Sequence, residues 1–196
     1  MSQRKPKKAG PASKRPESTA QLRRALSKRK KAELVDTLLE LAQADRGVLR
    51  QLTVRFDVAA APDELVAATH QAIADATAFD ERDINRNFDY DYEAYGEVKR
   101  NLGRLIDAGQ LRPAMQLALG LMKQGSYQVE MSDEGLMAQD IEDCLNVVLK
   151  ALEKCDLPAN EVIVWCSAML GNDRVGFIAR EPLQSLRNHF QGATAR

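Results

Sequence analysis

Aromatic residues are scarce, at 5% of the chain, and only one of them is tryptophan. The sequence holds two histidines, His70 and His189, and three cysteines, Cys144, Cys155 and Cys166, with no C-x-x-C pair. It also lacks a nucleophile elbow, a phosphate loop and a dinucleotide fingerprint. No apolar run approaches the roughly 18 residues of a spanning helix, and the first residues lack the apolar segment of a signal peptide. An odd number of cysteines, each in an apolar pattern, fits a reducing compartment and buried free thiols. These absences lead to the expectation of a cytoplasmic, non-enzymatic protein with no membrane span, no cofactor and no metal.

What is present is a charge divide. The formal net charge is zero, yet residues 1–31 carry twelve Lys and Arg against Glu17 alone, a net of +11. The cations are Arg4, Lys5, Lys7, Lys8, Lys14, Arg15, Arg23, Arg24, Lys28, Arg29, Lys30 and Lys31. The rest of the chain has 16 basic and 27 acidic residues, a net of −11. Residues 1–17 combine Pro, Gly, Ser and Lys with almost nothing apolar, so no buried area offsets the entropy of ordering them. This predicts a basic, mostly disordered tail over 1–26, a helical-repeat domain over 27–190 and a C-terminal tail over 191–196.

Within the domain, apolar residues recur at helical spacing. Ser27 reads as an N-cap for the helix carrying Leu34, Val35, Leu38, Leu39, Leu41 and Ala42. Asp45 caps a short helix with Val48, Leu49 and Leu52. Pro62 opens another, with Asp63 and Glu64 near the positive end of its dipole. Residues 78–90 read as a polar loop. The next helix starts near Asp89 or Asp91, presents Tyr95, Val98, Leu102, Leu105 and Ile106, and stops at Gly109, a left-handed turn residue. Residues 111–122 form a helix and 123–135 a loop. Ile141, Leu145, Val148 and Leu152 mark a long helix, Pro158 opens one more, and a last one follows Pro182. "EVIVWC" (161–166) is β-branched enough for a strand, but its Pro-led start and its continuation as "SAMLG" favour helix. The fold class expected is all-α, about seven helices stacked as antiparallel hairpins.

The hairpin "VKRNLGRLIDAGQLRPAMQLALGLM" resembles a tetratricopeptide-type unit. Val98 is the early bulky residue, Gly103 the small one, Gly109 the turn glycine and Ala114 the alanine at the helix crossing. Gly103 stands one place late relative to the usual spacing. Over residues 26–190 the order of "LSKRKKAELVDTLLELAQAD", an acidic Tyr-rich segment, "LIDAG" and a late Trp helix is similar to a helical domain of uncharacterised bacterial proteins. Relatives of that domain sometimes accompany a SWIM-type zinc finger. No C-x-C with a following C-x-H occurs here, so nothing about zinc carries over. The resemblance implies a helical scaffold and no particular activity.

Asp89, Glu93 and Glu97 are spaced four apart, which on a helix makes one acidic stripe flanked by Tyr92. Like charges at that spacing cost a few tenths of a kcal/mol per pair, and a place near the helix N-terminus recovers as much. A solvated face is therefore sufficient, with a docking strip for a basic partner as the alternative. "DINRNFDYDYEA" (83–94) fails as a calcium loop, having Phe88 where glycine is required and Ala94 where a bidentate glutamate is required.

Three functions follow in order. The first is a protein–protein interaction module, with a partner protein in a groove between hairpins and a basic arm that steers or tethers it to an acidic partner. The second is sequence-insensitive nucleic-acid binding by residues 1–31. If about six of the arm's cations met phosphates, affinity would fall with a log–log salt slope of roughly −5. The arm has no aromatic residue, so base stacking is not expected. The third is a metal-dependent hydrolase on Asp83, Asp89 and Asp91. A plainer role for the arm is as a solubilising tail, or one held by its own acidic body.

Overall fold

The computed structural model describes residues 15–56, 61–80, 85–86 and 89–194. Every extended element among them is a helix. They are α1 (Arg15–Leu26), α2 (Lys31–Ala44), α3 (Arg46–Arg55), α4 (Pro62–Ala76), α5 (Tyr92–Asp107), α6 (Leu111–Met131), α7 (Ala138–Leu152), α8 (Ala159–Asn172) and α9 (Arg180–Thr194). The all-α class is as expected, and the nine helices among the described residues replace the expected count of about seven. Part of the difference lies in 15–56. There α1 spans the end of the mostly disordered tail, where from Ser18 the composition turns helical and Leu22, Ala25 and Leu26 make a thin apolar stripe. Asp45 adopts an extended conformation between α2 and α3. Its Oδ1 accepts from the backbone of Gly47 and Val48, at 2.7 and 3.2 Å, and so caps α3.

The chain divides into two compact units, Met1–Val58 and Ala59–Arg196. The first unit has 15 Lys and Arg against 6 Asp and Glu, a net of +9, and the second 13 against 22, a net of −9. The charge divide thus falls inside the first unit, and the units keep opposite signs although residues 32–58 are themselves net acidic. In the first unit α2 packs on α3, and Ala42 is its one buried apolar residue among those described. Leu22, Leu26, Val35, Leu38, Leu39, Leu41, Leu49 and Phe56 stay exposed.

The second unit holds a real core. Ile73 of α4, Tyr95, Leu102 and Leu105 of α5, Leu117, Leu121 and Met122 of α6, Ile141, Leu145 and Leu152 of α7 and Met169 of α8 are all buried completely. Full burial of such a side chain is worth about 1.5–3 kcal/mol before entropy is subtracted. Helix α4 packs on α5 and α6, α5 also on α6 and α7, α6 on α7 and α8, and α9 on α8 and α7. Cross-helix polar ties fix the register. Trp165 Nε1–H donates to the Met115 carbonyl at 2.8 Å, joining α8 to α6. Arg112 grips Glu161 through two hydrogen bonds of 2.8 and 3.0 Å between the same helices.

Several local expectations are corrected. Residues 123–131 are not loop, because α6 runs on to Met131. Gly125 and Ser126 are poorer helix formers in isolation, yet both, with Gln128, are buried against a neighbour. Ser126 Oγ donates to the Asn172 carbonyl at 2.9 Å, and a Cβ on Gly125 would fall 2.7 Å from Ile141 Cδ1. Gly103, the residue singled out for close packing, has nothing within 4 Å of such a Cβ. Ser27 does not cap α2. Its Oγ donates to the Arg23 carbonyl at 2.8 Å, and Lys30 occupies the N-cap, its N–H donating to Glu33 Oε2 at 3.4 Å. The last helix starts at Arg180 and carries Pro182 in its first turn, where a missing N–H costs nothing. It extends past 190 because Phe190 packs against the core. "EVIVWC" is helical, as expected.

Candidate functional site

Glu64 and Asp91 set the two ends of the segment in which the site lies. Pro62 supplies the first residue of α4, and Glu64 Oε2 accepts from the Ala61 N–H at 3.2 Å. Asp91 Oδ1 accepts from the Ala94 N–H at 2.8 Å, which makes Asp91 the N-cap of α5. Between the C-terminus of α4 and the first turn of α5 lies an open cavity of about 520 Å³, lined by Ala78, Phe79, Asp80, Asp89, Tyr90, Asp91, Tyr92 and Glu93.

Three of the four residues named for the docking strip are gathered there: Asp89, Tyr92 and Glu93. Glu97 is not among the lining residues. The helical stripe itself is corrected, since Asp89 precedes the first residue of α5 and only Glu93 and Glu97 share the helix. Phe79, Asp80 and Tyr90 were not anticipated, having fallen inside a stretch read as polar loop. Their signal was an aromatic residue at each end of that stretch.

A hydrogen-bonded tyrosine ties the lining of the cavity to α7. Tyr90 donates its hydroxyl to Asp140 Oδ2 at 2.7 Å. Burial, then this hydrogen bond, push its phenol up to about 12. Its ring meets that of Tyr95 edge-on, at 6.1 Å between centroids. Tyr95 is fully buried, and burial raises its phenol further. Cys144 Sγ–H donates to the Tyr95 carbonyl at 3.3 Å, and burial raises that thiol to about 12. On the rim, Tyr92 is exposed. Carboxylates beside aromatic faces favour organic cations, with about 0.5–2 kcal/mol per cation–π contact.

Asp83 lies outside the described residues, Asp91 is spent on the cap, and no three His, Cys, Asp or Glu among the described residues converge as metal ligands. Free thiols Cys144 and Cys166 are buried and Cys155 half-buried. His70 and His189 are exposed.

The second charged feature lies in the first unit. Arg23 and Arg24 close α1, Lys28, Arg29 and Lys30 occupy the turn, and Lys31 opens α2, all six exposed. Backbone bonds shape the turn: Ser27 N–H to the Arg23 carbonyl at 2.9 Å, Lys28 N–H to Ala25 at 3.2 Å and Arg29 N–H to Leu26 at 3.0 Å. Arg15 begins α1, and Lys5, Lys7, Lys8 and Lys14 lie outside the described residues.

No protein-family model, curated protein or solved structure matches this chain. Among the described residues, no helix is long and apolar enough to cross a membrane.

Proposed function

We propose that this chain is a non-enzymatic, tetratricopeptide-like scaffold that docks another protein, a basic segment of the partner seating in the cavity at the start of α5. Its second unit is read as antiparallel hairpins in a stack. Packing between helices two apart in sequence, α4 with α6, α5 with α7 and α6 with α8, supports the stack, because repeated hairpins bury their faces on their neighbours. The observation that carries the docking reading is the lining of the cavity, where Asp80, Asp89, Asp91 and Glu93 stand beside Phe79, Tyr90 and Tyr92. Aromatic residues anchor interfaces and carboxylates select the sign of the partner's charge. The +11 arm then acts at longer range, steering the chain toward an acidic surface.

An array of Lys- and Arg-rich peptides, with charge-inverted copies, tests this reading on the full chain. Binding of basic members only, weakened at least tenfold by Tyr92→Ala or by Asp89→Lys with Glu93→Lys, is the expected result. Equal retention of acidic and basic peptides, or indifference to all three substitutions, abolishes it.

A further inference from the structure

Between Glu17 and Glu33 the chain contains no acidic residue. Six cations fall in the nine positions from Arg23 to Lys31, all exposed. None of the six is in an ion pair with a described residue. They surround a turn whose backbone is hydrogen-bonded, an arrangement that brings the charges together. Six like charges so close repel one another, and that repulsion is relieved by an anion that meets several of them at once.

We propose that the turn joining α1 to α2 is a binding element for the phosphate backbone of nucleic acid. It concerns the unit and the charge opposite to those of the docking cavity, and rests on the same cations to which the docking reading gives longer-range steering. The chemistry of the turn selects the ligand class. Protein interfaces need a buried apolar or aromatic anchor at their centre. From Ser27 to Glu33 the only apolar side chain is Ala32, so the turn offers charge without an anchor, which suits a uniform polyanion. A helix that lies in a lipid surface needs a broad apolar face flanked by cations; α1 has only Leu22 and Leu26 as large apolar residues, and the exposed Leu38, Leu39 and Leu41 of α2 stand among Glu33, Asp36 and Glu40, with no cation after Lys31 in that helix. With no aromatic ring in the stretch, bases are not stacked and sequence is not read.

The arithmetic gives a signature. If four of the six cations each neutralise one phosphate of duplex DNA, the log–log slope of affinity against salt is about −4, and roughly a hundredfold in affinity is lost between about 50 and 200 mM salt.

The test is fluorescence anisotropy with the full chain, using two duplexes of unrelated sequence, one single-stranded RNA and vesicles containing phosphatidylserine. Expected is binding of both duplexes with equal affinity and a slope of about −4, and of the RNA with a shallower slope. Replacing Lys28, Arg29, Lys30 and Lys31 together with Gln is expected to weaken binding at least tenfold at low salt and to cut the slope to about −2 or less. Lys150→Gln with Lys154→Gln, on the other unit, is expected to change neither. An unchanged circular dichroism spectrum shows that the four-Gln protein is folded. Three outcomes overturn the proposal: no binding of any oligonucleotide at micromolar protein in low salt, an unchanged slope in the four-Gln protein, or binding to the vesicles but not to nucleic acid.

Discussion

The Tyr95 hydroxyl donates to Gln128 Oε1 at 2.5 Å, deep between α5 and α6. The amide nitrogen of Gln128 donates in turn to the carbonyls of Ala76 and Ala78, at 3.1 and 3.2 Å. One buried side chain thus holds the C-terminus of α4, the first turn of α5 and the floor of the acidic cavity. Gln128→Leu strands a buried hydroxyl and two carbonyls, at about 1–3 kcal/mol for each group left unsatisfied. The variant is expected to lose about 3 kcal/mol in urea unfolding. Tyr95→Phe leaves only one amide oxygen short and should lose about 1–2 kcal/mol. Equal losses for the two would mean that Gln128 does not organise the α4 terminus.

Two glycines of α6 should answer alanine substitution with opposite signs. A Cβ at Gly125 would fall 2.7 and 3.1 Å from Ile141 Cδ1 and Cγ1, and Ile141 is fully buried. Overpacking of this kind costs about 1–3 kcal/mol, more than the roughly 0.5–1 kcal/mol that alanine gains over glycine inside a helix. Gly125→Ala is therefore destabilising, and Ile141→Val, which removes Cδ1, should restore part of the loss. At Gly120 nothing lies within 4 Å of such a Cβ, so Gly120→Ala should raise the melting temperature. Destabilisation at both sites would show that the space around α6 is not what decides.

The same stretch shows where the sequence was legible and where it was not. The apolar stripes of α5 and α7 are strongly periodic: of the side chains predicted on them, Tyr95, Val98, Leu102, Leu105, Ile141, Leu145, Val148 and Leu152 are buried and Ile106 is half-buried. The extension of α6 could not be read, because Gly125 and Ser126 favour loop locally and Gln128 breaks the apolar stripe. These three meet Ile141, Asn172 and Ala76, partners 16, 46 and 52 residues away. Ser27 failed as a cap for a different reason, since its hydroxyl serves the helix behind it. At the cavity, Tyr92 and Glu93 were legible from one helix. Phe79 and Asp80 join them only through the fold of the α4–α5 connection.

Thiol chemistry separates the three cysteines. Burial raises Cys144 to about 12 and Cys166 to about 11, while Cys155 is half-buried. Only a thiolate attacks a disulfide reagent, so the native chain should react rapidly at one sulfur and at all three in urea. Reaction at Cys144 before unfolding would contradict its burial. The sign of the pH effect follows. A folded value above the unfolded one, near 8.5, gives a contribution that is complete below about pH 8.5 and is lost as pH climbs toward the folded values. The urea midpoint should fall from about pH 9 upward, and less steeply in Cys144→Ala when measured against its own neutral-pH value.

Lys99 Nζ stands 2.7 Å from Asp143 Oδ2 and joins α5 to α7. The hydrogen bond from Lys99, then one from Gln139, hold the Asp143 carboxyl below its ordinary range. A lowered folded value makes the contribution present above the unfolded carboxyl value, about 3.9, and lost as pH falls through the lower folded one. Both side chains are nearly half exposed, so solvent screening limits the pair to about 0.2–1 kcal/mol. Asp143→Asn should lower the urea midpoint slightly at pH 7, and the difference from the unaltered chain should vanish in strong acid. A difference that persists there would come from packing and not from charge.

The two units should differ in their ability to fold alone. Of the buried apolar residues described, Ala42 belongs to the first unit and all the others to the second. The helices of the first unit are 12, 14 and 10 residues long, at or below the length of about 12–15 residues at which isolated helices are marginal in water. Without a buried face nothing offsets the entropy of forming them. A fragment of residues 59–196 is therefore expected to unfold cooperatively in urea, with the emission of Trp165, its only tryptophan, shifting to longer wavelength as its indole leaves the Met115 carbonyl. A fragment of residues 1–58 is expected to show little helix by circular dichroism in dilute buffer, and to gain helix when a polyanion neutralises the cations around Lys28. Strong, cooperative helix in that fragment alone would show that exposed leucines such as Leu38 and Leu39 find partners within the unit, and would refute this account of its stability.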